Sequence, residues 1–285
     1  MKKFSIGFLM AVLVLALAAC GTKSTNESNN VSGKSDDNGK KEITKIVVGA
    51  SNTPHSIILE QAKPLLKEKG YDLQIETYQD YVLPNQDLES GELDANYFQH
   101  IPYLDLQIKD AGYDFVNAGG IHIEPIGVYS KKYKSLDELP KGATILMSSS
   151  VSDHGRVLAM LESTGLIKLD ESIDKTAAEL KDIVENPKNI KFDANYEPGL
   201  MPQLYANDEG DALLINSNFA IDAGLNPIED SIAIEDTDSP YVNIIAVRKG
   251  DEDKESIKAL IEVLKSKEIQ DFILNEWDGT VVPVK

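Results

Sequence analysis

Apolar positions along the chain fall into short runs that alternate between the period of a strand and that of a helix. ITKIVVGA (43–50) passes from alternating to continuous apolar, a strand signal. SIILEQAKPLLKEK (56–69) places Ile58, Ala62, Leu65 and Leu66 at helical spacing, with Gly70 as a stop and Pro64 as an imperfection. YDLQIETY (71–78) alternates as a strand. Helices are predicted over 84–90, closed by Gly91, and over 102–109, ended by Gly112; YDFVNAG and EPIGVYS then read as strands. A second series follows, with strands at 143–149, 190–193, 211–215 and 241–248 and helices at 153–163, 199–206 and 217–223. Two more helices are predicted at 253–265 and 267–275, the first with Ile257, Leu260, Ile261 and Leu264 on one face. This succession predicts an α/β fold with a mostly parallel sheet. No repeat of solenoid period is visible. Roughly 240 residues of this texture suit two lobes better than one core.

The N-terminus breaks the pattern. Lys2 and Lys3 precede an apolar run, Phe4 to Ala16, which leads into Leu17-Ala18-Ala19-Cys20. The only cysteine thus ends the apolar run behind Leu and two small residues. This resembles the bacterial lipobox, in which the sulfur receives a diacylglyceryl group and cleavage leaves the cysteine first. Residues 1–19 are read as a lipoprotein signal peptide and Cys20 as the lipidation site. The competing reading, an uncleaved membrane helix, meets a run short for a span with a polar tract directly after it. Two acyl chains give stable anchoring where one is marginal. Residues 21–41 hold one apolar aliphatic residue, Val31, among Ser, Asn, Gly and Lys. They form a flexible tether with a reach on the order of 25 Å. The expected place is the extracytoplasmic face of the cell membrane, held by the lipid.

Charge narrows the partners. The chain carries 28 Lys+Arg against 47 Asp+Glu, a formal −19. From residue 42 onward the balance is 22 against 44, or −22, so the acidity lies in the body. A nucleic-acid partner is not expected, since it would call for a basic surface. A single Cys excludes an intramolecular disulfide framework and a Cys-rich zinc site.

Arginine occurs twice, as Arg156 and Arg248. Arg156 lies in SSSVSDHGR, just after a strand and in the first turn of the predicted helix. Free N–H groups of that turn and a guanidinium fork together suit a carboxylate. A solvated surface salt bridge is the competing reading. DANYFQHIPYL (94–104) crowds Tyr97, Phe98, His100 and Tyr103 together, either as the lining of an apolar pocket with one polar handle or as a core corner. Among His55, His100, His122 and His154 no pair has chelate spacing, so no metal site is expected. SSSVSDH has the residue types of a hydrolase but no G-x-S-x-G elbow, and no phosphate loop or G-x-G-x-x-G is present. No enzyme is expected, and no cofactor beyond the lipid on Cys20.

The body resembles the NlpA lipoprotein family, whose best-known members bind methionine for ABC importers. The likeness runs from about Lys45 to Pro283. It rests on TPH (53–55), DYVLPN (80–85), GELDANYFQHIPYLD (91–105), IEPIGVYSKKYKSLDELPKGA (123–143), GR (155–156), DIVENPKNIKF (182–192), LLINSNFAIDAGLNP (213–227) and DSPYVNIIAVRKGDE (238–252). The resemblance implies a two-lobed, periplasmic-binding-protein-like α/β fold with the ligand cleft between lobes and two crossover segments. Lobe 1 would be 42–122 plus 240–285, and lobe 2 the insert 123–239, with crossings near 121–126 and 238–243. It implies no catalysis. The partners it implies are an amino acid, the ABC permease and its ATPase subunits. Carried over position by position, the family's binding residues fall on Tyr81, on Phe98, His100 and Tyr103 as an aromatic cage for a thioether, on Arg156 for the carboxylate, and on Asn216 and Asn243 for the head group.

One segment departs. Relatives commonly carry NDPTNEGR where this chain has SSSVSDHGR, so Asp153 replaces an Asn that contacts the head group and His154 replaces a Glu. The new carboxylate at Asp153 either strengthens a contact to the ligand ammonium or pairs with Arg156 against carboxylate capture. FDANYEPGLMPQL (192–204) also differs from the usual acidic, alanine-rich pattern. The function expected is binding of an amino acid, methionine first, for delivery to an importer. A methionine-containing dipeptide or another amino acid is the alternative, and a metal-binding or adhesin-type lipoprotein is the alternative of another class.

Overall fold

The computed structural model describes residues 43–284. The signal peptide at 1–19, the lipidation site Cys20, the tether at 21–41 and the two lobe-1 ends, Glu42 and Lys285, lie outside the described residues.

The first half of the fold runs β1 (Thr44–Ser51), α1 (Ile57–Glu68), β2 (Tyr71–Tyr78), α2 (Leu83–Ser90), β3 (Ala95–His100), α3 (Ile101–Ala111) and β4 (Phe115–Ile123). Then come β5 (Gly127–Tyr129), β6 (Thr144–Ser148), α4 (Val151–Ser163), β7 (Lys168–Leu169), β8 (Ile183–Glu185), β9 (Lys191–Tyr196), α5 (Met201–Ala206), β10 (Ala212–Ile215), α6 (Ser217–Asp222) and β11 (Ser231–Ile234). The chain ends with β12 (Val242–Arg248), α7 (Glu255–Leu264), α8 (Lys267–Glu276) and β13 (Val282–Pro283). Gly91 and Gly112, read as stops, close α2 and α3 at φ +85° and +76°, the left-handed cap that glycine adopts without penalty.

Two main sheets carry the fold. One has the order β13-β4-β12-β3-β1-β2 and the other β11-β5-β10-β6-β9; β7 and β8 form a separate ribbon. The expectation of a mostly parallel sheet is corrected to mixed sheets. The βα units give parallel pairs, β2-β1-β3 and β10-β6-β9. β4 leaves the first sheet and β12 returns to it in the opposite direction, so β12 is antiparallel to both β3 and β4. In the second sheet β5 alone is reversed, antiparallel to β10 on one side and to β11 on the other, while β11 follows α6 and runs in the same direction as β10.

Alternation along the central strands decides which helices cover which face. In β12, Ile245 and Val247 join a core with Ile58, Leu59, Leu66, Leu260 and Leu264, so α1, α7 and α8 cover that side. The intervening Ile244 and Ala246 face Leu88, Leu93 and Leu104 from the α2 and α3 side. The second sheet divides likewise. Ile145 and Leu214 pack with Val157, Leu158 and Leu161 of α4, whereas Leu146 and Leu213 pack with Met201, Phe219 and Ala220 of α5 and α6. Each such buried aliphatic side chain contributes roughly 1.5–3 kcal/mol from desolvation. Both sheets are thus sandwiched between helices, and the strand ends meet in one place.

Candidate functional site

That place is lined from both sheets. Tyr81 comes from the loop between β2 and α2, where Asp80 Oδ1 accepts the backbone N–H groups of Val82 and Leu83 at 2.7 and 2.8 Å and fixes the turn. Phe98 and His100 come from the end of β3, and Tyr103 from the first turn of α3. His100 caps that helix, its Nδ1 accepting the Tyr103 N–H at 3.1 Å. Tyr103 Oη donates to the Tyr81 carbonyl at 2.8 Å, which ties the loop to the helix. Tyr81, Phe98 and Tyr103 stand with ring centroids 6.0–6.1 Å apart, and Phe219 closes on Tyr81 at 5.2 Å. They form an aromatic wall whose ring edges suit a polarizable sulfur.

Opposite lies α4. The helix begins at Val151, two residues earlier than the sequence pattern predicts. Arg156 therefore sits in its second turn, and Asp153 occupies the first. The surface-salt-bridge reading of Arg156 is overturned, because the residue is 6% exposed. Its Nε and Nη2 meet Asp153 Oδ1 at 3.0 and 2.7 Å, its Nη1 meets Glu235 Oε2 at 3.3 Å and the Glu124 carbonyl at 3.4 Å, and the guanidinium lies 4.9 Å from the Tyr241 ring centre. Gly155 lets this helix approach the 175–177 turn: a Cβ there would stand 2.2 Å from the Thr176 carbonyl oxygen. His154 turns away from the cavity and meets the Ser148 carbonyl at 3.0 Å.

Asp153 is the hub. It takes Arg156, His100 Nε2 at 3.0 Å and Asn216 Nδ2 at 3.1 Å. Burial pushes its carboxyl upward, but Arg156, with the His100 and Asn216 contacts, overcomes this and holds it well below the usual carboxylate range. Burial likewise works against the Arg156 cation, and Asp153 and Glu235 outweigh it and hold the guanidinium charged. The pairing of Asp153 with Arg156, one of the two effects the sequence allows, is present.

All eight residues singled out from the sequence, Tyr81, Phe98, His100, Tyr103, Asp153, Arg156, Asn216 and Asn243, line a single cavity. The sequence reading missed others there. His55 and Asn218 lie inside TPH and INSN; Tyr81 Oη donates to Asn218 Oδ1 at 2.7 Å, and His55 Nε2 meets Asn243 Oδ1 at 3.0 Å. Glu124 also reaches the cavity, from the segment between β4 and β5. An acid within the apolar stretch IHIEPIG was the available signal. His122 Nε2 meets Glu124 Oε1 at 2.7 Å, and Tyr97 Oη bonds to His122 Nδ1 behind it. Burial lowers the pKa of His55 to about 4 and of His122 to about 3, so both are neutral at pH 7.

The arrangement offers a fixed cation, clustered acceptors and an apolar aromatic slot, which together suit an amphiphilic zwitterion. Comparisons with known proteins agree with the geometry. The NlpA lipoprotein family model matches residues 46–285. The chain is 51% identical to the methionine-binding lipoprotein MetQ of Bacillus subtilis, over 100% of this chain and 99% of that one. Among solved structures, a pheromone cOB1 precursor/lipoprotein of the YaeC family from Enterococcus faecalis is 57% identical with a TM-score of 0.83, covering 85% of this chain and 100% of its own. A nutrient binding protein from Burkholderia cenocepacia, bound to methionine, is 40% identical with a TM-score of 0.79 over 84% of this chain and 100% of its own.

Proposed function

The chain belongs to the NlpA lipoprotein family, and from that premise we propose that it is the substrate-binding lipoprotein of an ABC importer, with methionine as its ligand. The observation that carries the reading is the convergence of Arg156, Asn216 and Asn243 with the Tyr81, Phe98 and Tyr103 wall on one cavity. Arg156 meets the ligand carboxylate and shares its fork with Asp153, while the rings receive the thioether. The body works as two lobes, 42–122 plus 240–285 and 123–239, that close over the ligand and present the closed form to the permease and its ATPase subunits. It is a receptor rather than an enzyme. The protein is unfolded and refolded to strip bound ligand, then titrated with methionine in a thermal melt. At about 100 times Kd, methionine is expected to add roughly 2.7 kcal/mol of stability. A melt unmoved by methionine but raised by zinc contradicts the reading.

Cys20 supplies the anchor, holding the body at the extracytoplasmic face of the membrane through a diacylglyceryl group. Support comes from the family and from the Leu17-Ala18-Ala19-Cys20 motif. Cys20→Ala is expected to leave an unprocessed precursor without lipid label in cells fed a labelled fatty acid. Normal labelling of that variant rules the anchor out.

A further inference from the structure

We infer that Glu124 is the receptor for the ligand's α-ammonium group, acting together with the side-chain oxygen of Asn216. The inference rests on the amino-acid reading above and adds the half of the zwitterion that Arg156 does not serve.

The obvious acceptor, Asp153, is already committed to Arg156, His100 and Asn216. Glu124 is not so committed. Glu124 is 6% exposed and lines the same cavity, yet among the described residues no lysine or arginine side chain lies within 4 Å of its carboxylate. Arg156 reaches only its backbone carbonyl. The side chains that touch the carboxylate are His122 Nε2 at 2.7 Å and His55 Nε2 at 3.3 Å, and the Asn218 backbone N–H faces it too. Both imidazoles are neutral, so they can donate hydrogen bonds but bring no charge. Burial pushes the Glu124 carboxyl upward, against a partial offset from His55, Arg156 and His100. A buried carboxylate with no cation in direct contact is costly, Arg156 helping only from a distance, and a cation entering the cavity relieves that cost.

A second, independent observation points the same way. Asn216 is buried, and its Nδ2 is spent on Asp153, which leaves Oδ1 with no hydrogen-bond partner among the described residues. An orphaned acceptor on the wall of a ligand cavity calls for a donor. An ammonium group has three N–H donors and one charge. Glu124 takes the charge and one donor, and Asn216 Oδ1 takes another. Asn243 Oδ1, already shared with His55, lies on the same wall. His55, His122 and Glu124 also bring their ligand atoms within 4.8 Å of one another, a set able to hold a divalent metal, and the test below separates that occupant from an ammonium.

The refolded, ligand-stripped chain is titrated calorimetrically with L-methionine and with 4-(methylthio)butanoate, which keeps the thioether and the carboxylate but lacks the amine. The wild type is expected to bind methionine at least about 10-fold more tightly than the analogue. Glu124→Gln is expected to weaken methionine by about 10- to 100-fold and to leave the analogue within about threefold, so that the discrimination collapses. An equal loss for both ligands assigns Glu124 a structural role and overturns the inference. Unchanged methionine affinity overturns it too, and if cobalt binding by the wild type is abolished in the same variant, the occupant is a metal. Should Glu124→Gln fail to fold, the wild type still decides: an analogue bound within about threefold of methionine defeats the proposal. A wild type that binds no methionine at all fails the functional reading itself, a result distinct from each of these.

Discussion

His55 lines the cavity and His122 lies behind it, both buried. From an ordinary value of 6.5, burial lowers them to about 4 and about 3. The unfolded chain protonates both as pH falls through about 6.5. The folded chain does so only near the lowered values. Between those limits the unfolded state binds more protons, so stability is complete above pH 6.5 and falls as pH drops, by up to about 1.4 kcal/mol per unit for each histidine. Glu124, raised by burial, binds its proton more readily when folded and offsets part of that loss. Asp153, held low by Arg156 against its burial, adds to the loss at more acid pH. Denaturant unfolding at stepped pH checks this: His122→Asn is expected to flatten the slope between pH 6.5 and 4 by about 1.4 kcal/mol per unit. An unaltered slope means His122 is not held neutral. None of this cluster is legible by spacing, because His55 and His122 are far apart in the sequence and meet only through β1 and β4. The resemblance implies the cavity-lining residues, while Glu124 lies in IEPIGVYSKKYKSLDELPKGA with no spacing to mark it.

Among the elements, α3 shows how one residue can serve two levels. His100 ends β3, caps α3 through Nδ1 and reaches Asp153 through Nε2. A lost cap costs about 1 kcal/mol. His100→Asn keeps a capping acceptor but is too short for Asp153, so it is expected to melt near the wild type and to bind methionine more weakly. His100→Ala is expected to lose the affinity and, in addition, about 1 kcal/mol of stability. Equal denaturation midpoints for the two variants would show that the cap is idle. Helix positions were legible to within two or three residues, since α1 and α7 carry a full apolar face. β3 was not read as a strand, because all six of its residues are buried and ANYFQH has no alternation to read. β11 and β13 escaped too, being short edge strands that are only half-buried.

At the scale of the whole molecule, the two-part texture was visible as two series of βα units, but the pairing directions were not. Periodicity reports which face of a strand is buried and says nothing of which way its neighbour runs. The direction follows from the route. All five strands of the second sheet, between Gly127 and Ile234, lie in sequence between β4 and β12. Those two flanking strands are antiparallel partners, and Ile123 stands directly across from Val242 at the point where the chain departs and returns. Backbone exits and re-enters one sheet at adjacent positions, as the two arms of a β-hairpin do on either side of their turn. The second sheet with its helices therefore takes the place of a hairpin loop. Exchanging that loop for one of another length or make-up is expected to leave the strand pairings of the first sheet in register. One half of such a receptor can thus be rebuilt for a new cargo while the other keeps its fold.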